Sequence, residues 1–237
     1  MDPSELADKL ASWIKDKVSS AGAKGVVFGM SGGVDSSVLA VLCKRALSQN
    51  TLGLIMPCFS LEEDSKHALM VARDFSIPVK TVVLDSVFEA LLKVLPDGGS
   101  RVALGNIKSR LRMLVLYYFS NKLNYLVAGS SNRSELSVGY FTKYGDGGAD
   151  ILPLGNLLKK EVRELASALG IPKEIVEKPP SAGLWEGQRD EEELGFTYEE
   201  LDHYLESGEA SSGVREKIEA RFLSSRHKRE PPQIAIF

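Results

Sequence analysis

Across residues 5–129 the apolar positions switch repeatedly between a helical and an extended rhythm. Leu6, Leu10, Trp13, Ile14 and Val18 share one stripe at helical spacing, which predicts an amphipathic helix over residues 5–19. Val26, Val27 and Phe28 then form a β-branched and aromatic run, the pattern of a buried strand. The same alternation continues with strands predicted at 51–56, 79–84 and 125–129 and helices at 62–75, 87–95 and 102–122. Strands and helices at this spacing predict an α/β fold: a doubly wound parallel sheet with helices on both faces, Rossmann-like. Such sheets bind ligands beyond the carboxyl ends of their strands, near the point where strand order reverses. Here those ends are Gly29-Met30-Ser31, Pro57-Cys58, Asp85 and Gly129-Ser130.

Past residue 129 the pattern is less regular. Residues 140–152 are glycine-rich and aromatic without a clean period, and 157–169 read as a helix. Pro179, Pro180, Gly183 and Gly187 mark residues 178–195 as a long loop, a class of segment that is usually functional or mobile. Helices are expected over 199–206 and 211–223, followed by the basic run Arg226-His227-Lys228-Arg229.

Composition narrows the possibilities. With 237 residues, 43% of them apolar, the chain can bury a substantial core, and no linker divides it, so 1–237 is expected to be a single domain. A formal net charge of −3 argues against broad nucleic-acid binding. No apolar stretch approaches membrane-spanning length, and the N-terminus lacks the basic and apolar regions of a signal peptide. A cytoplasmic protein without nucleic-acid or membrane partners is the expectation. Cys43 and Cys58 form no CxxC pair, so neither a zinc site nor a disulfide framework is indicated.

Candidate chemistry starts where the first strand breaks into Gly29-Met30-Ser31-Gly32-Gly33-Val34-Asp35-Ser36-Ser37. The glycines permit a sharp turn and close approach of a ligand to the main chain. Ser36 and Ser37 suit a helix N-cap, and a helix N-terminus fed by small residues is a ready anion site. The Gly-Lys-Ser/Thr of a Walker A loop is missing. Ser-Gly-Gly-Val-Asp-Ser resembles the pyrophosphate loop of ATP pyrophosphatases, and an ordinary strand–turn–helix junction stays open beside that reading. Asp35 could bridge a divalent cation to phosphates or share helix capping. Glu135, at the end of the fourth strand, could supply a second carboxylate or merely close a capping box.

Several further stretches carry a more specific resemblance. They are Gly129-Ser130-Ser131-Asn132-Arg133-Ser134-Glu135, then 139–150 with its Phe141-Thr142-Lys143-Tyr144-Gly145-Asp146-Gly147-Gly148 core, Pro153-Leu154 and Lys159. Residues 178–184, Asp190-Glu191 and His227-Lys228-Arg229 with Pro231-Pro232 continue the series. In this order they resemble ammonia-dependent NAD synthetase, a member of the adenine nucleotide alpha hydrolase-like group. The resemblance implies a two-step ligase. The carboxylate of deamido-NAD⁺ would attack the α-phosphorus of ATP, giving an adenylate and pyrophosphate, and ammonia would then displace AMP to give NAD⁺.

By the same resemblance Gly29, Met30, Ser31, Gly32, Gly33, Val34, Asp35 and Ser36 would bind ATP together with Ser130, Lys159 and Ser181. Asp35 and Glu135 would hold Mg²⁺. Arg110, Lys143, Asp150, His227 and Lys228 would contact deamido-NAD⁺. No protein nucleophile is implied. The family is homodimeric with its dinucleotide site shared between subunits, and helix 102–122 is the candidate interface. No glutaminase domain is expected, which points to free ammonia. Two other readings remain: a different ATP pyrophosphatase, and a non-catalytic nucleotide-binding module on the same sheet. Read without the resemblance, Lys159 would be an ordinary helix-surface lysine.

Overall fold

The computed structural model describes residues 2–235. Asp2 opens helix α1 (Pro3–Ser20), its side chain accepting from the backbone N–H groups of Ser4 and Glu5. The chain then alternates: β1 (Gly25–Gly29), α2 (Val34–Leu47), β2 (Thr51–Ile55), α3 (Glu62–Asp74), β3 (Val79–Thr81), α4 (Asp85–Leu92), α5 (Arg101–Leu123) and β4 (Tyr125–Val127). All pairings are parallel and the strand order is β3-β2-β1-β4. The expected doubly wound sheet is therefore present. The order reverses at β1, which has β2 on one side and β4 on the other, so the crevice between the ends of β1 and β4 is the switch point.

Successive residues of a strand point to opposite faces, and β1 shows this directly. Val26 and Phe28 pack into one core with Ile14 and Val18 of α1, Leu39 and Leu42 of α2, and Val71 of α3. Val27 packs into the other core, with Leu52 and Leu54 of β2, Phe88 of α4 and Leu111 of α5. Both faces are covered, which is why the strands read as continuous apolar runs.

Three differences from the sequence reading have local causes. The 79–84 strand closes as a regular element at Thr81, although Val82 and Leu84 still donate backbone hydrogen bonds to Ile55 and Pro57. The fourth strand ends at Val127, and beyond it Ala128 pairs with Ile151, which extends the sheet edge with a returning segment. Ser36 and Ser37 do not cap α2. The N-cap is Gly33, and both serine hydroxyls donate back to the Gly33 carbonyl, at 3.0 and 2.8 Å.

The second half supplies α6 (Arg133–Val138), α7 (Lys159–Ala168), α8 (Lys173–Val176), α9 (Asp190–Leu194), α10 (Tyr198–Ser207), α11 (Ser212–Ser224) and α12 (Arg226–Arg229). α9 lies within the segment expected to be one long loop. Helix α7 joins the main core through Val162 and Leu165, whereas α6, α10 and α11 surround a smaller core containing Val138, Leu201 and Ile218. The junction of these two bodies of packing lies beside the switch point.

Candidate active site

The loop leaving β1 is shaped by a tight approach. Gly32 has φ of 80°, and a Cβ there would lie 2.2 Å from the Asp64 carbonyl oxygen at the start of α3. Glycine is required on both grounds. Met30 turns its side chain inward against Gly53, while its backbone N–H continues the sheet ladder to Leu54. Ser31 and Ser36 hydroxyls lie 3.0 Å apart, and Ser31 Oγ accepts from the Gly33 N–H. Val34 begins α2, and its first-turn N–H groups face the crevice end of the helix without intrahelical acceptors. The loop can therefore present backbone donors and a positive dipole end to an anion.

Asp35 lies in the first turn of α2, and Glu135 in the first turn of α6. Lys159 Nζ joins them, at 2.6 Å from Asp35 Oδ2 and 3.0 Å from Glu135 Oε1. Lys159 is only 3% exposed, so the surface-lysine reading is wrong for this residue. Its backbone N–H donates to Ser134 Oγ at 3.0 Å, and its ammonium lies 4.9 Å from the centre of the Tyr198 ring. Ser134 Oγ donates in turn to Asp202, whose other oxygen accepts from the Lys160 N–H at 2.9 Å. These bonds fix the N-terminus of α7 against α6 and α10.

Asn132 completes the cluster. It is fully buried, caps α6 through its side-chain oxygen, and donates Nδ2 to Asp35 Oδ1 at 2.8 Å. Glu135 Oε2 accepts from the Asn132 N–H at 3.3 Å, so the capping box exists and Oε1 remains turned to Lys159. The two readings of Glu135 are thus compatible. Sequence spacing showed the box but not that the same asparagine orients Asp35.

One cation serves two carboxylates in a dry setting, and the surplus negative charge has a visible effect. Burial pushes the Glu135 carboxyl up to about 7, against the pull of Lys159 and with Asp35 adding to the rise. Burial works to lower the Lys159 pKa, but Asp35 and Glu135 outweigh it, and the ammonium is held firmly charged. Asp190, 4% exposed, is likewise raised by burial, although Lys159 and the hydroxyls of Tyr140 and Tyr198 oppose the rise. It accepts from those hydroxyls at 3.0 and 3.1 Å and from the Ala182 N–H at 2.9 Å. Asp190, Tyr198 and Asp202 had no role assigned from the sequence, and Asn132 only that of a helix cap; Asp190 lay within a noted motif, while the tyrosine and Asp202 gave no local signal.

The donors around Nζ fit a hard divalent cation. Two carboxylate oxygens converge on one point, and the remaining oxygens are steadied by an amide and a backbone N–H. Among the described residues no group of three or more His, Cys, Asp or Glu gathers as a metal site. A cation held here would complete its shell with phosphate oxygens and water, as Mg²⁺ commonly does.

The other expected residues fall into four places. Ser130 is half-buried at the end of β4, and exposed Ser181 accepts from the Gly183 N–H within the 178–189 loop. Arg110, Lys143, His227 and Lys228 form one basic cluster. Arg110 Nε donates to the Lys143 carbonyl, Lys143 Nζ to the His227 carbonyl, and Lys228 Nζ to the Gly139 and Phe141 carbonyls. Burial lowers the Lys228 pKa. Asp150 stands at the sheet edge instead, accepting from the Val127 N–H at 2.7 Å and the Tyr117 hydroxyl at 2.8 Å.

The 178–189 loop is tethered across the crevice. Lys178 Nζ lies 2.7 Å from Asp64 Oδ1, Lys108 Nζ donates to the Leu184 carbonyl at 3.0 Å, and Arg101 stacks 4.7 Å from the Trp185 ring. Cys43 and Cys58 are both free and buried.

A family model described as NAD synthase matches residues 6–232. The NH(3)-dependent NAD(+) synthetase of Carboxydothermus hydrogenoformans is 49% identical over 236 residues, covering 98% of this chain and 97% of the relative. Among solved structures, one described as NMN synthetase from Francisella tularensis superposes with a TM-score of 0.96 at 40% identity, covering both chains fully. The NH3-dependent NAD synthetase from Campylobacter jejuni, solved with nitrate, gives 0.85 at 31% identity, again over both full chains. A match spanning nearly the whole chain, on a sheet whose switch point gathers Asp35, Glu135 and Lys159, leaves one conclusion: the chain belongs to the NAD synthase family, ligases of NAD biosynthesis that amidate with ammonia.

Proposed function

We propose that residues 1–237 act as one NAD synthetase domain that converts deamido-NAD⁺ to NAD⁺ with ATP and ammonia. The observation that carries this reading is the convergence of Asp35 and Glu135 on Lys159 Nζ at the β1–β4 crevice, directly beside the glycine loop. The glycine loop and the N-terminus of α2 would take the ATP phosphates, with Ser130, Lys159 and Ser181 adding contacts. Mg²⁺ on Asp35 and Glu135 would neutralise phosphate charge and orient the α-phosphoryl group.

The basic cluster of Arg110, Lys143, His227 and Lys228 would bind the phosphates of the nicotinate nucleotide, and Asp150, apart from it at the sheet edge, would add a contact to the same substrate. An oxygen of the nicotinate carboxylate then forms a bond to the α-phosphorus as pyrophosphate leaves. Ammonia nitrogen next attacks the activated carboxyl carbon, AMP departs, and one proton is lost to give the amide. Each step needs alignment and charge stabilisation but no covalent protein nucleophile. The tethered 178–189 loop would shield the adenylate from water.

The exposed apolar side chains Leu114 and Tyr118 of α5, with half-buried Val82 beside them, support a homodimer in which a second copy covers this face. No helix among the described residues is long and apolar enough to cross a membrane, and a cytoplasmic location accords with that. The decisive assay follows pyrophosphate release from ATP with Mg²⁺, ammonium and deamido-NAD⁺, and identifies NAD⁺ as product. Pyrophosphate release independent of the nucleotide acid would overturn the reading.

One observation favours a second reading of the acid. The Francisella structure, described by the mononucleotide NMN, superposes more closely than the Campylobacter one. Nicotinate mononucleotide is therefore the second substrate for the same assay, and the ratio of kcat/KM for the two acids decides between them.

A further inference from the structure

We infer that Lys159 is an exchangeable counter-ion: its ammonium and a divalent cation compete for the point between Asp35 and Glu135, so metal enters as Nζ leaves for the ATP phosphates. This rests on the reading that those two carboxylates hold the metal.

The geometry is exclusive. Nζ lies within 3.0 Å of an oxygen from each carboxylate, and a cation bound by the same two oxygens would overlap it. Asn132 restrains the other side of both carboxylates, so neither can turn away to accept a cation elsewhere without losing a hydrogen bond. The lysine has the freedom to yield. Its backbone is pinned by the bond from its N–H to Ser134 Oγ, whereas its ammonium sits at the end of a four-carbon stem over the Tyr198 ring.

Charge balance favours the exchange only when ATP arrives. Asp35 and Glu135 with Lys159 leave one surplus negative charge in a buried setting. Replacing the ammonium by a divalent cation removes that surplus but strands a positive side chain in a site from which water is excluded. Triphosphate oxygens at the end of the glycine loop give the displaced ammonium a partner. Metal and nucleotide therefore bind cooperatively, and metal alone binds weakly.

The test uses Mn²⁺ as the metal probe, with the free ion counted by electron paramagnetic resonance, and α,β-methylene-ATP as a nucleotide that cannot be cleaved there. Lys159→Met removes the competing charge while keeping the stem, and Lys159→Arg keeps a cation. Without nucleotide, Lys159→Met should bind Mn²⁺ about tenfold or more tighter than the unsubstituted protein, and Lys159→Arg should not. The melting temperature of Lys159→Met, lowered in EDTA by its unpaired carboxylates, should be restored by Mn²⁺ alone. Circular dichroism checks that the variant is folded. A folded Lys159→Met that binds Mn²⁺ no better than the unsubstituted protein, or gains no thermal protection from it, overturns the exchange. If Asp35→Asn leaves nucleotide-dependent Mn²⁺ uptake of the unsubstituted background unaltered, the carboxylates are not the metal site, and the underlying reading fails together with the inference.

Discussion

Asn132 Nδ2 donates to Asp35 Oδ1 at 2.8 Å and thereby joins two loops separated by 97 residues of sequence. The bond crosses the switch point of the sheet, from the start of α6 to the start of α2. The same side chain caps α6 through the Glu135 N–H. One buried residue thus sets the direction of both acidic side chains, and its two functions can be separated. Asn132→Ala removes cap and cross-link together, and should lower stability by about 2–4 kcal/mol in urea unfolding. Asn132→Ser retains a capping hydroxyl but cannot reach Asp35, so it should recover about 1 kcal/mol of the loss while turnover stays depressed. A serine variant with unimpaired turnover would show that Asp35 needs no such support.

How far the sequence foretold this arrangement depends on the range of the interactions. The alternation of Val26-Val27-Phe28 with helical stripes exposed the parallel sheet, because strands buried on both faces have a local apolar signature. The Asn132–Glu135 box was equally legible, being a contact over three residues. Lys159 was not. Its burial comes from α10 supplying Tyr198 and from carboxylates located 124 and 24 residues away, none of which has a trace at position 159 itself. Ser36 and Ser37 misled for the opposite reason. Their composition suits a cap, but the loop already starts the helix at Val34, and the hydroxyls turn back to Gly33. Asp190 lay in a noted motif, yet its hydroxyl partners Tyr140 and Tyr198 come from two other segments.

Gly32 offers a test of the ligand loop with an internal control. Alanine there meets both a left-handed φ and the Asp64 carbonyl, so Gly32→Ala should cost about 2 kcal/mol or more and weaken ATP binding. Gly22 also has a left-handed φ, of 64°, but a Cβ there meets nothing within 4 Å. Gly22→Ala should cost only about 1 kcal/mol and leave ATP affinity unchanged in calorimetry. Equal stability losses at the two positions would mean that the α3 contact is unimportant.

Asp190 predicts a pH dependence. Burial raises its folded pKa above the ordinary value of 3.8, so the folded protein binds a proton that the unfolded chain releases first. Its contribution to stability is complete below 3.8 and declines as pH rises through the raised folded value. Asp190→Asn does not titrate. The stability of this variant relative to the unsubstituted protein should therefore improve from pH 4 upward in denaturant titrations, whatever the offset at the acid end. A difference independent of pH would show that Asp190 ionises in the fold as readily as in the unfolded chain.

Lys143 separates a substrate contact from a structural tie. Its ammonium donates to the His227 carbonyl and helps hold the basic cluster together. If it also contacts deamido-NAD⁺, Lys143→Ala should raise the KM for that substrate about tenfold, with a much smaller change for ATP. Lys143→Gln can still donate to the carbonyl without the charge, and should show nearly the same KM. A glutamine variant with unsubstituted kinetics would make the residue a tie for α12 and nothing more.

The 178–189 loop provides the last prediction, because its attachments are few and chemically distinct. Lys178 secures one end to Asp64, Lys108 and Arg101 hold the middle at Leu184 and Trp185, and between them the Ala182 N–H is held by Asp190, which follows the loop's other end. Chymotrypsin cleavage after Trp185 or Leu184 requires this stretch to leave the crevice, so the cleavage rate reports the open population. Lys178→Ala removes a partly buried ion pair and should speed cleavage about threefold to tenfold without much effect on global unfolding. Loop closure over the reactants predicts that ATP together with deamido-NAD⁺ slows cleavage in both proteins and narrows the gap between them. Cleavage that ignores both substrates, or a Lys178→Ala loop no more accessible than the original, would mean that the loop is a fixed wall of the crevice.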